Sequence, residues 1–90
     1  MSFEYRISFD HADRASIVSA LRRLPLNALD AVGKFEFRST DNQGGMPNAF
    51  IQVEDYGVYY CWNGGRGDDL LGALVGELVA NFGPVTVEEL

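Results

Sequence analysis

The sequence predicts a single α+β domain over residues 1–90: a two-layer sandwich in β-α-β-β-β-α-β order, with a mainly antiparallel or mixed sheet and both helices on one of its faces. Three observations predict it. Apolar and polar residues alternate over Phe3–Phe9 and again over Lys34–Arg38, the period of a strand covered on one side only. Apolar residues then recur at helical spacing in two later segments, each following a strand pattern. Two β-rich runs, Asn48–Glu54 and Val58–Trp62, are separated only by Asp55-Tyr56-Gly57, a hairpin-closing spacing.

Taking the elements in order, Phe3, Tyr5, Ile7 and Phe9 share one side of the first strand, opposite Glu4, Arg6 and Ser8. Asp10, with Asp13 three residues on, makes a capping-box-like start whose carboxylates suit orphan N–H groups and the positive end of a helix. The first helix is expected over Ala12–Leu24, with Ile17, Val18, Leu21 and Leu24 inward, Arg22 and Arg23 in its last turn, and Pro25 stopping it. Leu26–Val32 fits either a short helical turn through Leu26, Leu29 and Val32 or a packed loop. Lys34–Arg38 is a strand, and Ser39–Pro47, dense in turn formers, is an exposed loop. In the hairpin that follows, Gly57 is placed to take a positive φ. Asn63–Gly67 breaks the strand pattern and Asp68 or Asp69 caps the second helix. Its Leu71, Leu74, Val75, Leu78, Val79 and Phe82 form one apolar stripe. Gly83 and Pro84 end that helix, and Val85–Val87 is a short last strand before an acidic tail. In outline this order resembles ferredoxin-like folds, and no motif among these residues points to a family.

Composition narrows the functional classes. With 47% hydrophobic and 22% charged residues the chain is that of an ordinary globular domain, and its size implies a total stability of about 5–13 kcal/mol. A net charge of −6 repels phosphate backbones and anionic lipid surfaces, so no nucleic-acid partner is expected. Leu70–Ala80 is too short an apolar stretch to span a bilayer and contains Glu77, so no membrane insertion is expected either. The single cysteine, Cys61, has no partner for an internal disulfide, and the first residues have no basic segment leading into an apolar one; a cytoplasmic location is the expectation.

Catalytic chemistry finds little support. Cys61 and His11 are the obvious nucleophile and base, but one lies within a strand and the other at a helix start, and together they fall short of a zinc ligand set. Asp10/Asp13 and Asp68/Asp69 are the nearest carboxylate pairs, and capping explains both. No catalytic residue, metal site or cofactor is therefore expected. The stretch Asn63, Gly64, Gly65, Arg66 with Asp68 precedes a helix, where free N–H groups can hold an anion, but it lacks the endings of known phosphate loops and places carboxylates at that spot. It is kept as the alternative: a small-molecule, anion-binding or enzymatic site.

Two features are less ordinary. Gly72, Gly76 and Ala80 form a small-residue ridge on the second helix, matching Ala12, Ser16 and Ala20 on the first; this predicts that the two helices pack side by side through these ridges, or failing that, that a second chain approaches closely there. In Val58–Trp62 both strand faces are apolar or aromatic, so whichever face the helices leave uncovered presents rings among charges. Phe50, Tyr59 and Cys61, or their Tyr60 and Trp62 counterparts, are the candidate interface. The expectation is a small non-enzymatic interaction module, accessory or inhibitor-like, for an unknown protein partner or for self-association.

Overall fold

The computed structural model describes residues 3–24, 28–29, 34–37, 47–63 and 67–90, with backbone only for 28–29 and 67–69. Its elements are β1 (Phe3–Ser8), α1 (Arg14–Leu21), β2 (Ala28–Leu29), β3 (Lys34–Phe37), β4 (Ala49–Glu54), β5 (Gly57–Trp62), α2 (Gly67–Phe82) and β6 (Thr86–Glu89). The predicted β-α-β-β-β-α-β order is present. Ala28–Leu29 adds a two-residue strand where a helical turn or packed loop was expected, held by Ala28↔Glu36 and Leu29↔Phe35 pairing. The rest of the predicted turn, and the predicted exposed loop apart from Pro47, lie outside the described residues.

All strands join one antiparallel sheet in the order β2-β3-β4-β5-β1-β6. β1 lies between β5 and β6, which are consequently parallel to each other and are linked by α2 crossing over β1. Register decides the covered face. Tyr5↔Tyr60, Ile7↔Val58, Ile51↔Tyr60 and Phe35↔Ile51 place the alternation peaks of four strands on one side. On that side Ile7, Ile51, Val58 and Tyr60 are buried together with Ile17 and Leu21 of α1 and Leu70, Leu74 and Leu78 of α2. Both helices therefore sit on the same face. Each such aliphatic side chain contributes roughly 1.5–3 kcal/mol by leaving water.

Several boundaries differ from expectation for identifiable reasons. Asp13 rather than Asp10 caps α1, with its carboxylate accepting from Ser16 N at 2.8 Å. Regular α-helix stops at Leu21 because Arg23 N and Leu24 N bond to Ala20 O and Leu21 O, a tighter turn than the α pattern. Asp68 and Asp69 fall inside the first turn of α2 instead of preceding it. β6 extends through Glu88 and Glu89, because pairing with Arg6 and Tyr5 outweighs the poor strand preference of glutamate. Gly57 does have positive φ, +145°, but it opens β5 opposite Glu54, leaving a two-residue turn of Asp55 and Tyr56.

The small-residue ridges do not join the helices. A Cβ built on Gly72 or Gly76 meets nothing within 4 Å, and Ala80 is exposed. Among the described residues the helices instead share the buried core cluster, and Arg23, just past α1, adds a polar link: its Nη1 donates to Glu77 Oε1 at 3.1 Å and Asn81 Oδ1 at 2.8 Å. A helical wheel locates a ridge beside an apolar stripe but does not say on which flank the neighbour lies. Because both glycines are helical and face open space, Gly72→Ala and Gly76→Ala are each expected to stabilise the domain by about 0.4–1 kcal/mol. Urea titration of the two single variants checks this; a loss of stability would mean that something approaches the glycine backbone.

Candidate functional site

The uncovered sheet face is built from the alternate residues of five strands. Glu4, Arg6 and Ser8 of β1 stand beside Glu88 and Thr86 of β6 on one side and Tyr59 and Cys61 of β5 on the other, followed by Phe50 and Gln52 of β4 and Lys34 and Glu36 of β3. At its centre the Phe50 and Tyr59 rings are neighbours, 5.8 Å between centroids and tilted by 48°. Both are partly exposed.

Charged groups frame the two rings. Lys34 Nζ sits 4.3 Å from the Phe50 centroid, a cation–π geometry worth about 0.5–1 kcal/mol at an open site. On the other side the Tyr59 hydroxyl donates to Glu4 Oε1. Burial, and then this bond to Glu4, push the Tyr59 phenol above its usual ionisation range. The shift is upward, so stability from this group is fully present below about pH 10 and declines only above it. At neutral pH Tyr59 is a neutral donor held in one orientation. Arg6 lies over the Tyr56 ring at 5.6 Å, and the Tyr56 phenol is raised mainly by burial and by the charge of Glu54.

The residues singled out from sequence separate onto two faces. Phe50 and Tyr59 are on the open face. Cys61 shares that face but is only 6% exposed, and its thiol donates to Asn63 Oδ1 at 3.5 Å, so it presents no reactive surface. Tyr60 and Trp62 point the other way. Tyr60 is fully buried under the helices and offers nothing to a partner. Trp62 packs against the core at one end of β5, stacked on Phe3 at 5.0 Å, with its indole Nε1 buried and, among the described residues, without a hydrogen-bond partner. Of the loop alternative, Asn63 is engaged structurally: Nδ2 donates to Pro47 O at 3.1 Å and the backbone N–H to Asn48 O at 2.7 Å. Gly64, Gly65 and Arg66 lie outside the described residues, as does the side chain of Asp68.

His11 and Cys61 do not meet. His11 follows the end of β1 that pairs with the start of β5, whereas Cys61 is four residues along β5, roughly 13 Å at the rise of a strand. His11 Nδ1 lies 3.3 Å from the Phe9 carbonyl, and its ring makes an edge contact with Phe9. A groove of about 570 Å³ that sequence reasoning did not single out opens beside it, lined by Ser8, Asp10, Asp55, Tyr56 and Thr86 among others. Asp55 there is tied to Arg14 at 3.2 Å, and Arg14 also holds Val53 O at 2.8 Å, so the charged pair braces α1 against the hairpin. No signal in the sequence marks this groove, since its walls come from three distant segments.

Among the described residues, His, Cys, Asp and Glu nowhere gather in a group of three or more suited to a metal ion, and no helix is long and apolar enough to cross a membrane. No protein-family model, curated protein or solved structure matches the chain, which leaves the geometry above as the ground for a function.

Proposed function

We propose that this domain is a small non-enzymatic protein-interaction module, accessory or inhibitor-like, that engages a protein partner or a second copy through its open sheet face. One observation carries the reading: Phe50 and Tyr59 form an aromatic pair at the centre of a face that neither helix covers, with Lys34 and Glu4 at its rim. Central aromatic anchors with a charged rim are the usual composition of an interface, because the rings supply apolar area with few rotors to freeze and the rim excludes water. Glu4 lowers the freedom of Tyr59 before any partner arrives, which reduces the entropy lost on binding.

Tyr59→Ser and Phe50→Ser test the proposal by sedimentation and by quantitative affinity capture from native cytosol, with circular dichroism to verify folding. An anchor residue is worth about 2 kcal/mol or more, so recovery of a specific partner, or self-association, should fall roughly 30-fold. Unchanged recovery and unchanged sedimentation in both folded variants would remove the open face as a binding surface.

A further inference from the structure

A second surface, bordering the open face and sharing only Thr86 and Glu88 with it, is the free edge of the sheet at β6. All four residues, Thr86–Glu89, are exposed, and β6 is the last strand in the sheet order. Leu90 N donates to Glu4 O, so the strand alternation directs the N–H and C=O of Thr86 and Glu88 toward β1 and those of Val87 and Glu89 outward. Sheet edges are ordinarily blunted by shortness, charged side chains, proline, a bulge or a covering element. The described β6 edge has only its four-residue length and the carboxylates of Glu88 and Glu89, which turn away apolar and acidic strands but not a basic one.

Its side chains specify what fits. Glu88 pairs in register with Arg6, but Arg6 turns its guanidinium over Tyr56, and Glu88 and Glu89 hold no ion pair among the described residues. Val87 is 44% exposed and projects to the helix side, the side of its register partner Ile7. Val79 is 46% exposed on α2. It falls between Glu77 and Asn81, both of which face α1 through Arg23, so it occupies the opposite flank of α2. α2 lies over β5 and α1 over β4, so that flank is the one toward β6.

We propose that β6 accepts an extended basic peptide as an added antiparallel strand. The peptide places an apolar side chain opposite Val87, within the Val79 side of the edge, and lysine or arginine opposite Glu88 and Glu89. Backbone bonds to Val87 and Glu89 supply the attachment, and the alternate side chains supply selectivity. A second copy is the poorer occupant, because each brings the same acidic edge and a net charge of −6.

The test is an NMR titration of the ¹⁵N-labelled chain with a capped heptapeptide TVRRVTV, with TVEEVTV as control. The basic peptide should shift the amides of Thr86–Leu90 and slow exchange of the Val87 and Glu89 amides at least 10-fold, with affinity falling as salt is added. The double variant Glu88→Lys, Glu89→Lys should lose the basic peptide and gain the acidic one. Three results would overturn the proposal: no shift over 86–90 at millimolar peptide, shifts confined to Phe50 and Tyr59, or protection of Val87 and Glu89 that depends on protein concentration without peptide. Tyr59→Ser should leave the titration unaltered, so failure here and failure of the open-face reading are distinguishable.

Discussion

Replacing Tyr60 with alanine is expected to cost about 3–5 kcal/mol of stability, the range for deleting a large aromatic side chain from a core. Tyr60 heads the fully buried side chains by volume and sits in the middle of the sheet, paired with Tyr5 on β1 and Ile51 on β4. Its ring lies 6.1 Å from that of Tyr5, and the two helices cap it from above. Alanine would leave a void that neighbours on three separate elements can close only by moving a strand or a helix. A domain of this size has about 5–13 kcal/mol in total, so the variant should lose roughly a quarter or more of its stability. Urea unfolding checks this through a lowered midpoint at unchanged slope. A loss below about 1 kcal/mol would show that the ring does not occupy the core, and with it that the assignment of open and covered faces is reversed.

Gly57→Ala should be comparably damaging from the opposite cause. An added Cβ would stand 2.3 Å from the Ile7 carbonyl oxygen and 2.7 Å from Cε1 of Phe9, and the backbone there has φ +145°, which residues with a Cβ rarely adopt. Relief would require parting β1 from β5 or swinging Phe9 away from Phe82, on which it is stacked at 4.8 Å. Backbone strain of about 1–3 kcal/mol and overpacking of a similar size add to roughly 2–6 kcal/mol. At about 4–8 °C per kcal/mol for a chain this small, Tm should fall by about 10 °C or more. A Tm within two or three degrees of the parent would mean that the close approach of β5 to β1 at this point is not as described. The contrast with Gly72 and Gly76 is informative. One glycine is fixed by sterics, while the other two face open space.

What could be read from residues alone follows from how local each cause is. Alternation in β1 and β3, the stripe on α2 and the positive φ at Gly57 are properties of a few neighbouring residues, and they appear as expected except at Val79, which sits at the margin of the stripe and is 46% exposed while Leu70 takes a buried place instead. The two-residue β2 was not legible, because two residues contain no period; its pairing with β3 makes it a strand. β6 ran past its expected end for the same reason: Glu88 and Glu89 are strand residues only by virtue of β1 beside them. Within the candidate site, the failure of alternation in Val58–Trp62 was visible, but the division of Tyr59 from Tyr60 depended on which face the helices take. The groove beside His11 and the Arg23 link between helices join residues from distant segments, so no window of sequence contains them.

The position of β1 between β5 and β6 has a consequence for biosynthesis. β1, made before every other strand of this sheet, acquires both of its neighbours only from the second half of these residues. Until Gly57–Trp62 has emerged, Tyr5, Ile7 and Phe9 have no sheet to complete, and the rim of that strand stays available to any chaperone or foreign strand nearby. Such long-range closure makes folding slow relative to helical domains of the same length and adds a hazard of misassociation early in translation.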